Sequence, residues 1–400
     1  MVTTATPYTL DRNRAGAGHG SDGVARIVAN GYYGTGALLS DGRTLLTSAH
    51  LFSQGTSDAS VIFETSGGTT TMKVESIVRH PAYDPVDENN DLALVRLNGS
   101  APLDADRYPL YRQDDEIGHS FTMVGYGVPG TGLTGFDSRY TGSALRLKAS
   151  NTFDAEAAAL KLGLGTALGW SPLAGSQLIA DFDNGTFTHD ALGRLIARPG
   201  VGLGVDEGLL SPGDSGGPAF LDGKVAGIAS YTASLSLGAA APDIDAVNNS
   251  SFGEIAAWQR VSAYQQWIDQ NLRIRYPDAP TQPQEVRTSV AEGNAGVTYA
   301  YFLLRFTGVR SHPDDILSVD YATRNGTALA GVDYIATNGR LNLYPDETQA
   351  VVPVEIIGDT APEGNETFYL DVTNPVGGSF GENMVQLTAI RTIVDDDGWI

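Results

Sequence analysis

From residue 24 onward the chain breaks into short apolar runs, "VARIVAN", "GALLS", "TLLTSA", "ASVIFET", "MKVESIV", "DLALVRL" and "FTMVGYG", separated by turns rich in Gly, Asp and Asn. Runs this short, punctuated this way, suit antiparallel strands closing into a barrel rather than helices. The pattern returns downstream in "TYAYFLLRF", "LSVDYAT", "GRLNLYP", "QAVVPVEII", "ETFYLDV" and "VQLTAIRTIV", a set of strands that predicts a β-sandwich. Between the two series lies "RIRYPDAPTQPQ", whose three prolines mark a linker. Four hundred residues exceed what one core holds, so an all-β protein of two domains is expected. One helix is predicted, over 252–272, where Trp258, Val261, Tyr264, Trp267, Ile268 and Leu272 recur at spacings of three and four.

The chain has no cysteine, which excludes disulfides and thiolate metal sites. Its net charge of −22 opposes binding to nucleic acid or to an anionic membrane surface. Residues 281–400 hold 17 Asp and Glu against 6 Arg and no Lys, so the last 120 residues carry half of that charge. No run of 18 apolar residues is present, so no membrane insertion is expected. The N-terminal "MVTTATPYTLDRNR" lacks the basic start and apolar stretch of a signal peptide. A secreted or cell-surface location therefore implies a signal peptide absent from this sequence.

The loop "SPGDSGGP" at 211–218 surrounds Ser215 with glycine and proline, so its backbone is held in a special shape. A serine hydroxyl becomes a nucleophile only when a base takes its proton and donors stabilise the resulting oxyanion. The natural donors here are the N–H groups of Gly213 and Ser215. His50, in "LLTSAHLF", ends a strand-like run, and Asp91, in "NNDLALVRL", opens an apolar one. Alone, each has a bland reading as a structural or turn residue. A further run, "DFDNG" at 181–185, sets Asp181, Asp183 and Asn184 ahead of Gly185. The glycine falls one place early for a calcium loop, so a surface turn is expected.

In order, "TSAH", "NNDLALVRL" and "GDSGGP" resemble the three signatures of the trypsin/chymotrypsin-like serine proteases, and "VRHPAYDP" and "RVSAYQQWI" resemble flanking segments of that family. The resemblance implies two six-stranded antiparallel β-barrels with a C-terminal helix over 20–273, behind an N-terminal extension at 1–19. It implies His50, Asp91 and Ser215 as catalytic residues of a serine endopeptidase, and Gly213 with Ser215 as the oxyanion hole. It also implies a specificity pocket built from Leu209, Ser230 and Thr232. Leucine at that floor position disfavours basic side chains and favours cleavage after small or medium apolar ones. The chemistry needs no cofactor, and the partner is a protein or peptide substrate. The absence of the family's disulfides resembles bacterial members.

After a linker at 274–284, residues 285–397 resemble a Calx-β domain through "SVAEGN", "GTALAGVDYIA", "IIGDTAPEGNETF" and "TIVDDDG". That resemblance implies calcium held by Glu292, Asp333, Asp359, Glu363, Glu366, Asp395, Asp396 and Asp397, and a domain able to bind a surface or partner. Hard cations such as calcium take six to eight oxygen ligands, which suits clustered carboxylates. The alternative reading is a catalytically silent, calcium-dependent adhesion or interaction protein on a protease fold.

Overall fold

The computed structural model describes residues 2–53, 55–56 and 58–397. Two compact units are present: residues 1–39 with 43–265, and residues 40–42 with 266–400.

In the first unit a short N-terminal strand, β1 (Thr3–Thr4), precedes six strands: β2 (Val24–Ala29), β3 (Tyr32–Leu38), β4 (Thr44–Thr47), β5 (Ala59–Thr65), β6 (Gly68–Arg79) and β7 (Ala93–Leu97). These six form a closed antiparallel barrel in the order β2-β3-β4-β7-β6-β5. Alternation along β2 and β5 turns Ile27, Val61 and Phe63 inward, where they pack with Leu38, Leu45, Val95 and Leu97.

The following strands are β8 (Ser120–Gly125), β9 (Gly130–Thr131), β10 (Gly135–Phe136), β11 (Leu147–Thr152), β12 (Ala155–Glu156), β13 (Gln177–Asp181), β14 (Gly208–Leu209), β15 (Pro218–Leu221), β16 (Lys224–Ala233) and β17 (Ile255–Arg260). Helices α1 (Ala158–Leu164), α2 (Ala191–Ile196) and α3 (Val261–Arg273) are interspersed. Seven of these strands form one antiparallel sheet, ordered β11-β8-β15-β16-β17-β13-β12. Its backbone ladder stays open. Asn151 on the edge strand β11 donates from Nδ2 to the carbonyls of Asp181 at the end of β13 (2.7 Å) and of Gly208 on β14 (2.9 Å). A side chain thus supplies contacts that a closing strand pair would make. Phe121, Phe153 and Trp258 form the centre of this core, with ring centroids 4.0–5.8 Å apart.

The helix predicted over 252–272 begins only at Val261, because Ile255–Arg260 is a strand buried along its whole length. A fully buried strand loses the alternation that distinguishes it from a helix in sequence. Within the second unit, the end of α3 is tied down by Tyr344, whose hydroxyl donates to Asp269 (2.6 Å), and by Arg273, which pairs with Glu347 (2.5 Å).

The second unit adds β18 (Ser289–Ala291), β19 (Gly296–Arg305), β20 (Leu317–Asn325), β21 (Asn338–Leu343), β22 (Gln349–Gly358), β23 (Glu366–Val376) and β24 (Gln386–Val394). They form a five-stranded sheet, β18-β24-β23-β20-β21, and a two-stranded sheet, β19-β22. The core between them contains Phe302, Tyr334 and Phe368, with Val352, Val354 and Ile356 from β22. The predicted sandwich is present, with its acidic residues gathered at strand ends.

Candidate active site and acidic cluster

β4 and β7 are paired neighbours in the barrel, with Thr47 opposite Ala93. His50 follows β4 on a single 3-10 turn, and Asp91 stands two residues before β7, so the ladder itself brings them together. Asp91 is fully buried. Its Oδ1 accepts from the backbone N–H of His50 (2.8 Å), and its Oδ2 lies 2.7 Å from His50 Nδ1. This arrangement directs the proton on Nδ1 to the carboxylate and leaves Nε2 for other chemistry. The His50 side chain is 28% exposed, so the imidazole remains accessible.

Burial alone lowers the His50 pKa, but the hydrogen bond and charge of Asp91, aided by Glu88, outweigh it and hold the imidazole above its ordinary value. Glu88 is raised by burial and then by the charge of Asp91. It belongs to the same cluster, since Glu88, His50 and Asp91 each offer an atom within 4.8 Å of the others. The left-handed backbone of Glu88 (φ 53°) is strained for a residue with a Cβ. Gln177 and Gln259 fix that backbone by donating to its carbonyl at 2.9 and 2.8 Å.

Ser215 lies between β14 and β15 on a loop docked against the barrel. Its carbonyl accepts from Thr35 N–H (2.8 Å), and the Thr35 hydroxyl donates to the Gly213 carbonyl (2.9 Å). Gly213 has φ 99° and Gly216 has φ 81°. A Cβ on Gly216 would lie 1.9 Å from Thr47 Oγ1 and 2.3 Å from the Thr35 carbonyl, so the loop sits this close to the His50-bearing segment only because the residue is glycine. Among the described residues, the N–H groups of Gly213 and Ser215 have no hydrogen-bond partner. Asp214 is buried, and it accepts from the N–H groups of Gly127 and Ser211, both at 2.9 Å.

The three residues assigned to a specificity pocket have different surroundings. Leu209 is fully buried on β14, within the core that includes Val2 and Trp258. Thr232 is partly buried on β16, with its hydroxyl 3.3 Å from Asn248 Oδ1. Ser230 has a role that sequence did not suggest: its hydroxyl donates to Asp91 Oδ2 (2.7 Å) and accepts from Gln259 Nε2 (3.3 Å). The only sequence signal was its position at mid-strand, where a buried hydroxyl needs a partner. Asn90 adds to this anchoring, donating to the Ala82 carbonyl (2.8 Å) and accepting from the Tyr264 hydroxyl (3.1 Å).

In the second unit, Asp333, Glu363 and Glu366 offer carboxylate oxygens within 4.8 Å of one another. Burial, then the charges of Asp359, Glu363, Asp333 and Asp395, push Glu292 up to about 7. Burial and a hydrogen bond with Asp333 push Glu366 up to about 7 as well. Asp395 accepts from Glu363 N–H (2.7 Å), and Asp396 from Gly293 N–H (2.9 Å). Asp397 pairs with Asn294, and Asp359 accepts from Ala361 N–H (2.6 Å). Six of the eight residues named from sequence therefore interact around one end of the sandwich. Asp396 and Asp397 adjoin them through the 293–294 turn. This donor set consists entirely of hard oxygens and suits calcium rather than a softer metal.

Residues 15–151 match the Trypsin family model, and residues 303–397 match that of the Calx-beta domain. Curated relatives include the sodium/calcium exchanger Calx of Drosophila melanogaster, 36% identical over 80 residues, covering 20% of this chain and 8% of that protein. Sodium/calcium exchanger 2 of Homo sapiens is 37% identical over 92 residues, covering 20% of this chain and 10% of that protein. Adhesion G-protein coupled receptor V1 of Danio rerio is 34% identical over 83 residues, covering 20% of this chain and 1% of that protein. The chain thus spans a tenth or less of these relatives. Among solved structures, neuropsin, a serine protease expressed in the limbic system of mouse brain, aligns with 98% of its chain and 65% of this one, at 19% identity and a TM-score of 0.46. Among the described residues, no helix is long and apolar enough to cross a membrane. By the family models, residues 15–151 are similar to the Trypsin family and residues 303–397, which follow them, to the Calx-beta domain.

Proposed function

We propose that the protein is a serine endopeptidase whose catalytic residues are His50, Asp91 and Ser215. The observation that carries this reading is the His50–Asp91 pair at 2.7 Å, with Asp91 fully buried and further bonded to Ser230. The proton of Ser215 Oγ passes to His50 Nε2 as the oxygen attacks the scissile carbonyl. The N–H groups of Gly213 and Ser215 receive the oxyanion, and His50 then returns the proton to the leaving amine. Water hydrolyses the acyl-enzyme by the same steps in reverse. Leu209 lies inside the core and so cannot contact a substrate side chain, which leaves the uncharged Thr232 as support for cleavage after small or medium apolar residues. The catalytic domain is taken as 20–273, the linker as 274–284 and the sandwich as 285–397.

The same reading gives the sandwich a calcium role. Glu292, Asp333, Asp359, Glu363, Glu366 and Asp395, with Asp396 and Asp397 beside them, would hold the ion, which neutralises carboxylates that otherwise repel one another. The sandwich then serves to tether the protease or bind a partner at a secreted or cell-surface location. Hydrolysis of a denatured protein substrate tests the enzymatic claim. Ser215→Ala should lose on the order of 10⁶-fold in kcat, and an unimpaired variant would refute the assignment.

A further inference from the structure

The run "DFDNG" reads in sequence as a surface turn, and only its second half is one: Asn184 Oδ1 accepts from the Thr186 N–H (3.1 Å) and hydroxyl (2.6 Å). Asp181 closes β13, and Asp183 stands two residues later. Asp181 is 3% exposed, Asp183 4%, Asp190 1% and Glu207 1%, so these carboxylates belong to the interior. Oxygens of Asp181, Asp183 and Asp190 lie within 4.8 Å of one another. The glycine-rich segment 200–204 closes over them. A Cβ on Gly202 would lie 1.8 Å from Glu207 Oε2 and 2.7 Å from Asp183 Cβ.

Most of these carboxylates have backbone donors. Asp181 accepts from Leu192 N–H (2.7 Å), Asp190 from Gly193 N–H (2.6 Å), and Glu207 from the N–H groups of Asp183 (2.7 Å) and Leu203 (2.6 Å). Asp183 is different: its Oδ1 is buried in the cluster with no hydrogen-bond partner. Among the described residues, none of Asp154, Asp181, Asp183, Asp190 and Glu207 forms an ion pair with a Lys, Arg or His. An unpaired buried carboxylate is costly, and it demands a proton or a cation.

We propose that Asp181, Asp183 and Asp190, with Glu207 and Asp154 adjoining, form a buried calcium site inside the trypsin-like unit, separate from the acidic cluster of the sandwich. All the donors are oxygens, so a hard cation is selected over zinc or copper. Magnesium usually keeps several waters, whereas calcium accepts an irregular cage of protein oxygens. Burial, then Asp181 and Asp190, push Asp183 up to about 8, and burial pushes Asp154 and Glu207 up to about 7, so without a cation the cluster takes up protons. Gly200 and Gly202 bring the covering backbone against Asp183 and Glu207, where a Cβ would lie 3.2 Å from Asp183 Oδ2 and 1.8 Å from Glu207 Oε2.

The test is a count of bound calcium in the full chain, stripped with chelator and then dialysed against calcium, for the parent, Asp183→Asn, Glu366→Gln and the double variant. The site predicts that Asp183→Asn loses one equivalent, that the loss adds to that of Glu366→Gln, and that calcium no longer raises the melting temperature of the trypsin-like unit. Without calcium at neutral pH, Asp183→Asn should melt above the parent, because the parent must take up a proton on Asp183 in order to fold. Equal counts and equal calcium-induced shifts in parent and Asp183→Asn would overturn the proposal. So would a parent that gains stability as pH falls while its trypsin-like unit is indifferent to calcium, since the cluster would then be held by protons. If Asp183→Asn does not fold, Asp190→Asn serves in its place, because asparagine keeps the helix-capping acceptor but removes a charge from the site. None of these readouts depends on proteolysis.

Discussion

Replacing Ser230 by Ala removes one of the three hydrogen bonds that hold the Asp91 carboxylate, the others coming from the backbone and ring of His50. Asp91 is fully buried, so water cannot substitute for the lost donor without a rearrangement of the β16–β17 interior. A hydrogen bond to a charged group contributes about 1.5–3 kcal/mol. If that support is needed while His50 carries the proton of Ser215, its loss slows acylation by roughly 10- to 150-fold. The assay is the second-order rate of fluorophosphonate labelling, which requires an activated serine but no knowledge of the substrate. Ser120→Ala, whose exposed hydroxyl is 3.2 Å from that of Thr152 on the paired strand β11, serves as the control and should label at the parent rate. A folded Ser230→Ala protein that labels as fast as this control would refute the view that the Ser230–Asp91 bond supports the site.

Three further outcomes follow from the same geometry. Glu88 helps Asp91 hold the His50 pKa up, and His50 must be neutral to accept a proton. Glu88→Gln should therefore move the acidic limb of the labelling profile to lower pH, and an unmoved limb would contradict the role given to Glu88. Gly216→Ala places a Cβ against Thr47 and Thr35 at a left-handed φ. It should cost more than about 2 kcal/mol in stability and abolish labelling, while full activity would show that the loop docks differently. In the sandwich, folding raises Glu292 and Glu366 to about 7, which favours their protonated forms. With chelator present the sandwich should therefore melt higher at pH 6 than at pH 8, and calcium should diminish the difference. A melting temperature unaffected by pH in chelator would contradict the clustering.

The legible parts of this chain are those in which local sequence carries the function. Glycines and a proline around Ser215 announce a shaped loop, and the strands flanking His50 and Asp91 are short enough to read one at a time. Acidic residues at strand ends likewise announce the sandwich cluster. What escapes is set by packing between distant segments. Ile255–Arg260 has no alternating pattern because both of its faces are covered, so it reads as the start of α3. The attachment of Ser230 to Asp91 joins residues 139 positions apart, and no local signal records it. The same holds for Asp181 and Asp183, whose burial depends on α2 and on the 200–204 glycines arriving from elsewhere in the chain. Asn151 likewise carries no local signal of its bonds to the distant carbonyls of Asp181 and Gly208.

The central claim is that Ser215 is an activated nucleophile. Its most direct test is to incubate the folded chain with a fluorophosphonate at pH 8 and to locate the added mass by peptide mass spectrometry. A single adduct is expected on the peptide containing Ser215, absent from Ser215→Ala and strongly slowed in Asp91→Asn. No adduct on the folded parent, or an adduct that persists in Ser215→Ala, would contradict it.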